Sequence, residues 1–212
     1  MDENVQSIDP NSIMFTVPTV SNELPPLDRV ETQPRDDELT MHEDDWCQVQ
    51  FFHKSYLQEL ERLLREYKTF EASNRQMITI KGEQYPVWRK AYVREVARQP
   101  LLTEEDPVGQ LARIVGGHIG PAPVLHSTSS WTGRVKNGFT VRIGRNVDLY
   151  GYILDGSVPV VGASLGPDPD DQALVRAFTR INAALGLVLV EWKLQFILLD
   201  TKPDGKVKMW QP

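Results

Sequence analysis

Residues 139–163, FTVRIGRNVDLYGYILDGSVPVVGA, decide the fold of this chain. From Phe139 to Ile143, apolar residues alternate with polar ones, which is the two-residue period of a half-buried β-strand. Further along, Asp155-Gly156 separates two more apolar runs, and this dipeptide favours a tight hairpin turn because both central positions need positive φ. The stretch therefore predicts three consecutive antiparallel strands.

Two long helices are predicted, one before and one after these strands in the sequence. In residues 54–75, apolar side chains recur at helical spacing and form one broad face. The second helix begins near Asp168 and Pro169, a capping residue and a favourable first-turn residue, and ends at Gly186. Because the hairpins are short and crossovers are few, this order predicts an α+β fold with a mainly antiparallel sheet and both helices packed on one face.

A second pair of strands is predicted in the first half of the chain. Residues 76–80 and 85–96 both have strand character and are joined by a turn. We expect the later strand to be long and to place Arg89, Lys90 and Arg94 on its exposed side.

Charge divides the chain into two parts. Twelve of the 29 acidic residues and two of the 23 basic residues lie in residues 1–45, so this segment carries −10 and residues 46–212 carry +4. The first segment also contains five prolines, and such a composition buries too little apolar area to offset chain entropy. We predict an acidic N-terminal arm, residues 1–45, followed by one α+β domain, residues 46–212. Such an arm can fold back on the basic body or compete with an acidic partner for its surface.

The overall composition excludes several classes of protein. Apolar residues make up 41% and charged residues 25% of the 212 residues, as in soluble globular proteins. A net charge of −6 argues against a general nucleic-acid binder and against binding to anionic membranes. The single cysteine, Cys47, excludes an intramolecular disulfide and a Cys-rich zinc site. Without a secretory signal or an apolar run of about 20 residues, we expect a cytoplasmic protein.

A Ser/Thr-rich segment that directly follows the second of two histidines suggests nucleophilic catalysis. His118 and His126 lie close to residues 127–130, Ser-Thr-Ser-Ser. A hydroxyl beside an imidazole is the pairing that activates a nucleophile, so a hydrolase or transferase would use His118, His126 and Ser129. However, no Gly-x-Ser-x-Gly motif is present, and no carboxylate can be named to orient the base. A turn that hydrogen-bonds to its own backbone explains the same residues.

A cluster of potential metal ligands precedes the first predicted body strand. His42, Glu43, Asp44 and Asp45 are consecutive, and His53 follows later. These residues lack the His-x-x-x-His and His-Glu-x-x-His spacings of metal sites. The sequence therefore predicts neither a metal site nor a cofactor.

A basic stretch is the predicted partner-binding or anion-binding site. It consists of Trp131, Arg134, Lys136, Arg142 and Arg145, with no acidic residue in the interval. Arginine beside an aromatic ring can hold a phosphate, a carboxylate or an acidic protein surface. Proteins that bind single-stranded nucleic acid interleave more aromatic residues, so nucleic acid is not the expected partner.

These features favour a non-enzymatic interaction protein that binds or inhibits a protein partner. The reasons are the missing catalytic motif, the divided charge and the acidic arm. In size, charge and class the chain is similar to bacterial toxin-neutralising immunity proteins, which is an analogy of class only. The two alternatives are the hydrolase or transferase described above and a sensor of anionic ligands that uses Arg134, Arg142 and Arg145. The oligomeric state stays open.

Overall fold

A computed structural model describes residues 14–30, 33–97, 99–127 and 131–212, with the backbone alone at Trp131 and Thr132. Within these residues the chain forms three α-helices, α1 (Leu57–Asn74), α2 (Pro107–Val115) and α3 (Asp171–Leu185). Its strands are β1 (Thr19–Ser21), β2 (Leu27–Asp28), β3 (Thr40–His42), β4 (Val49–His53), β5 (Arg75–Ile80), β6 (Glu83–Trp88), β7 (Tyr92–Arg94), β8 (His118–Gly120), β9 (Val124–His126), β10 (Trp131–Val135), β11 (Gly138–Gly144), β12 (Val147–Leu154), β13 (Ser157–Leu165), β14 (Leu187–Glu191), β15 (Phe196–Thr201) and β16 (Val207–Trp210).

An eight-stranded sheet, entirely antiparallel, forms the centre of the molecule. Its strand order is β16-β15-β14-β4-β13-β12-β11-β8. The predicted meander is its β11-β12-β13 segment, and Asp155 and Gly156 adopt the positive φ values of 49° and 75° that the tight turn needs. The predicted α+β class with a mainly antiparallel sheet is confirmed.

The two long helices lie on opposite faces of this sheet, not on one face as we expected. Phe51 and Leu189 pack with α2 and α3, whereas the adjacent residues Phe52 and Val188 pack with α1. Successive side chains of a strand point to opposite faces. Because β4 and β14 are apolar at consecutive positions, both faces of the sheet need a cover.

The ends of α3 show which local signals fix a helix. Asp170 caps it by accepting a hydrogen bond from the Ala173 N–H at 3.1 Å. Asp168, the expected cap, lies in the preceding turn with φ of 49°. Gly186 ends the helix in the left-handed conformation, as predicted.

Segments of the predicted arm pair with the body. A four-stranded sheet has the order β2-β10-β9-β3, so strands from residues 14–45 flank both sides of β9 and β10. Beside it, β1 pairs in parallel with β7. The residues between this small sheet and the large one include Trp46, Val135 and Tyr150, all buried. The division at residue 45 stays a prediction.

Strands β5 and β6 form a hairpin of their own, called here the hairpin β5–β6. Among the described residues, its only strand pairing outside itself is the bridge between Phe15 and Trp88 at its base. The long strand predicted over residues 85–96 is interrupted after Trp88 and resumes as β7, where Arg94 is buried and not exposed as expected.

No helix among the described residues has the length and apolar character needed to cross a membrane.

Candidate functional site

The arm occupies part of the predicted basic site. Both carboxylate oxygens of Glu38 accept hydrogen bonds from Arg134 Nη2, at 2.8 and 2.9 Å. The Glu38 side chain is 3% exposed and that of Arg134 is 41% exposed, so the pair is half-buried. An arm carboxylate thus takes the position that an anionic ligand of Arg134 would need.

The other members of this basic site are spread along the large sheet and its turns. Arg142 Nε lies 3.1 Å from an Asp148 carboxylate oxygen, and Arg145 Nη2 lies 2.9 Å from Asp168. Lys136 is exposed in the turn between β10 and β11. The side chain of Trp131 lies outside the described residues. The use of these five residues by a partner or anion stays a prediction.

The two histidines of the enzyme alternative lie on different sheets. His118 is exposed on β8, the outer strand of the large sheet, opposite Arg142. His126 lies on β9 of the small sheet, where its Nδ1 is 3.3 Å from the Ser127 carbonyl oxygen. A carbonyl oxygen only accepts hydrogen bonds, so Nδ1 is the donor. Ser129 lies outside the described residues.

His126 instead meets a histidine from the arm. Strands β3 and β9 are parallel, and His42 lies opposite His126 in their register. The two rings meet edge to face with their centroids 5.4 Å apart. Their side chains line a cleft of about 540 Å³ between the small and large sheets, which is within the size range of small-molecule sites. The sequence gives no signal for this pair, because strand pairing alone brings the two residues together.

Further ionisable groups line this cleft. Lys193 Nζ lies 2.7 Å from an Asp45 carboxylate oxygen. Glu191 is 9% exposed and accepts a hydrogen bond from the Leu194 N–H. Burial raises the pKa of the Glu191 carboxyl above its ordinary value. The cleft supplies imidazole, carboxyl and ammonium groups, but it does not contain His118, which the enzyme alternative requires.

The four consecutive metal ligands considered from the sequence, residues 42–45, lie at a short turn that follows β3. Within the parts of the chain that the structure describes, no three His, Cys, Asp or Glu side chains are placed to hold one metal ion. His42 Nδ1 accepts a hydrogen bond from the Asp44 N–H at 3.2 Å, so it caps the short turn at residues 43–45.

Exposed apolar side chains characterise the hairpin β5–β6. Met77, Ile80 and Tyr85 are 49%, 51% and 42% exposed, respectively. In the strand register Ile78 lies opposite Tyr85, so apolar residues adjoin across the two strands. Soluble proteins seldom expose neighbouring large apolar groups except where something binds.

The same segment is positively charged. Residues 75–90 contain four basic residues and one acidic residue, in a chain whose net charge is −6. The basic residues are Arg75, Lys81, Arg89 and Lys90, and all four are exposed. This distribution gives the hairpin a charge opposite to that of the molecule as a whole.

No family model, curated protein or solved structure matches this chain.

Proposed function

We propose that this chain is a non-enzymatic interaction protein whose hairpin β5–β6 binds an acidic, extended segment of a protein partner. The observation that carries the proposal is a hairpin that joins neither larger sheet while its large apolar side chains face solvent. An immunity-type role, in which binding inhibits a toxin in the cytoplasm, is the specific form that we favour.

Backbone chemistry supports an added strand. A two-stranded hairpin on its own is marginally stable in water. In the described residues, β5 pairs with β6 alone, so its other edge presents backbone N–H and C=O groups. An extended peptide that joins such an edge gains main-chain hydrogen bonds and also covers the apolar side chains.

Charge supports an acidic partner. The net positive charge of residues 75–90 would orient an acidic segment and raise its association rate. The sensor alternative has less support, since Arg134, Arg142 and Arg145 each have a carboxylate partner within the chain. The enzyme alternative has less support because His118 and His126 lie on different sheets.

The test compares two triple variants, each of which loses three exposed large apolar side chains. The hairpin variant carries Met77→Ser, Ile80→Ser and Tyr85→Ser. The control carries three substitutions of exposed residues elsewhere, Ile119→Ser, Leu154→Ser and Leu194→Ser. Tagged full-length proteins are used to capture partners from the native host, and any captured partner is then purified and titrated. We expect a partner that wild type and control retain and that the hairpin variant binds at least tenfold more weakly.

A charge variant keeps the test valid if the apolar variant folds poorly. Lys81→Glu with Lys90→Glu should weaken binding and reduce its dependence on salt, whereas Lys54→Glu with Lys202→Glu should not. A partner that binds the hairpin variant as tightly as wild type would contradict the proposal. Self-association of this chain through the hairpin β5–β6, in place of binding to another protein, would also contradict the proposal.

A further inference from the structure

The outer edge of β6 is a poor place for an added strand. In an antiparallel pair, alternate residues direct their backbone N–H and C=O groups away from the partner strand. At Trp88 these groups point outward, because both form hydrogen bonds with Phe15, at 3.0 and 2.7 Å. Two residues earlier on the same edge lies Pro86, which has no N–H. This edge is therefore occupied at its base and lacks a donor at Pro86.

The outer edge of β5 has both donors and acceptors. Arg75 lies opposite Trp88 in the register, so Arg75, Met77 and Thr79 direct their backbone groups outward. The Arg75 N–H donates to the Glu71 carbonyl oxygen at the end of α1. In the described residues β5 pairs with no strand other than β6, so the N–H and C=O groups of Met77 and Thr79 lie on an open edge. An added strand can form four backbone hydrogen bonds with these two residues.

One face of the hairpin β5–β6 is apolar beside this open edge. Ile78 and Ile80 lie on the same face of β5 because they are two residues apart. Tyr85 joins them from β6, since it lies directly opposite Ile78. Ile80 and Tyr85 are exposed, and Ile78 is half-buried. Alternate side chains of a strand laid beside β5 would lie next to this apolar face.

Positive charge is placed at both ends of β5. Arg75 begins the strand and Lys81 directly follows it, and both are exposed. Between them, Met77 and Thr79 share the face of Arg75, so the second face is mixed rather than apolar. Opposite charges attract at directly opposed cross-strand positions, whereas like charges repel. A strand beside β5 is therefore favoured when it carries a carboxylate at each end.

We propose that the partner segment joins β5, and not β6, as a strand with apolar side chains at alternate positions between two acidic residues. This inference rests on the proposed function and specifies the segment that the hairpin β5–β6 recognises. The apolar side chains of the segment cover Ile78, Ile80 and Tyr85. The backbone groups of Met77 and Thr79 hold its main chain, and its acidic ends adjoin the two cations.

The first measurement titrates the full chain with two synthetic peptides and follows the amide NMR signals of residues 75–80. The alternating peptide is acetyl-Glu-Val-Thr-Val-Thr-Val-Glu-amide, whose sequence is the same in both directions, so either strand orientation presents the same pattern. Four hydrogen bonds of ordinary strength predict a Kd of about 1 mM or below. The rearranged peptide, acetyl-Glu-Thr-Val-Val-Val-Thr-Glu-amide, has equal composition and charge without alternation. We expect it to bind at least fivefold more weakly.

Two proline variants locate the edge. Met77→Pro removes an outward N–H from β5, and Gln84→Pro removes one from β6, two residues before Pro86 on the same edge. Neither nitrogen donates within the hairpin, and proline is tolerated at such edge positions. We expect Met77→Pro to bind the alternating peptide at least tenfold more weakly than wild type. Gln84→Pro should bind it as wild type does.

Methylated peptides test strand addition without any change in the chain. The alternating peptide is made with N-methyl groups either on its threonine nitrogens or on its valine nitrogens. Because a strand turns only alternate N–H groups to its neighbour, one of the two should bind at least tenfold more weakly than the other. Equal binding of the two would contradict strand addition.

Two further results would overturn the inference. One is an alternating peptide that binds no better than the rearranged one, and the other is Met77→Pro binding it as tightly as Gln84→Pro. The proposed function would survive either result if the variant with Met77→Ser, Ile80→Ser and Tyr85→Ser still loses a captured partner. If that variant keeps the partner, the proposed function fails whatever the peptides do.

Discussion

Replacement of Arg134 by methionine tests whether the arm is fastened to the body by charge. The change removes the guanidinium but keeps most of the aliphatic length. Glu38 would then keep a buried carboxylate whose hydrogen bonds to Arg134, at 2.8 and 2.9 Å, are lost. The free energy of unfolding should therefore fall.

The magnitude follows from the geometry. Two unit charges about 4 Å apart attract by about 4 kcal/mol at an effective dielectric constant of about 20. Arg134 is 41% exposed, so water screens part of this attraction, and Arg35 Nε lies 3.5 Å from Glu38 as a second cation. We therefore expect a loss of about 2 kcal/mol, below the roughly 3–5 kcal/mol typical of a fully buried pair.

The assay is urea unfolding at pH 7, supported by thermal unfolding, in which Tm should fall by about 4–8 °C for a domain of this size. Arg145→Met is the control, because Arg145 and Asp168 are 68% and 82% exposed and such a pair contributes about 0–1 kcal/mol. Limited proteolysis near Glu38 should accelerate in the Arg134 variant alone. Equal stability of the two variants would refute the claim that the arm depends on this pair.

Three further predictions concern the core and the cleft. Burial raises the folded-state pKa of Glu191 above 4.5, so the stability that its protonation provides is lost as pH rises through that raised pKa. In urea unfolding from pH 4 to 8, the free energy of unfolding of Glu191→Gln should therefore increase relative to that of wild type as pH rises. A difference between the two proteins that stays constant with pH would contradict this. Phe178→Ala should lower the free energy of unfolding by about 3–5 kcal/mol, since Phe178 is fully buried, whereas Leu194→Ala at an exposed site should change it by less than about 0.5 kcal/mol. Gly162→Ala would place a Cβ 2.4 Å from the Tyr150 ring. The same unfolding assay should therefore show a free energy of unfolding lower by about 1–3 kcal/mol. A variant as stable as wild type would mean that the ring moves aside freely.

Local signals in the sequence predicted the elements whose causes are local. Asp155-Gly156 indicates its turn because a tight hairpin requires positive φ there, and the structure has both values positive. Gly186 indicates the end of α3 for a similar reason. The placement of the two long helices on opposite faces depends on a different sequence pattern. Consecutive apolar residues in β4 and β14 imply two covered faces, which strand alternation alone does not reveal.

Features made by distant pairing were not predictable. Glu38 and Arg134 are 96 residues apart, and the strands that bring the arm to this position are too short to show a period. Likewise, His42 and His126 become neighbours only through the register of β3 and β9. The sequence indicates the charges of these residues but not their partners.

Arg94 shows how tertiary contacts reverse a sequence pattern. Adjacent residues of a strand face opposite sides, and Val93 would ordinarily be the buried one. In the structure Val93 is 53% exposed, whereas Arg94 is 3% exposed and contacts Trp192 and the Cys47 carbonyl oxygen. A register shift of one residue exchanges the two faces of a strand, so contacts from other segments decide which face is buried.

Hydrogen–deuterium exchange of β5 tests the proposed function most directly. Its amides should exchange fast in the free chain, because the hairpin β5–β6 joins neither larger sheet. In a complex with the purified partner, exchange across residues 75–80 should slow at least tenfold, while exchange in α3 stays unchanged. Protection that appears around the His42–His126 cleft instead, with β5 exchanging as fast as in the free chain, would contradict the account.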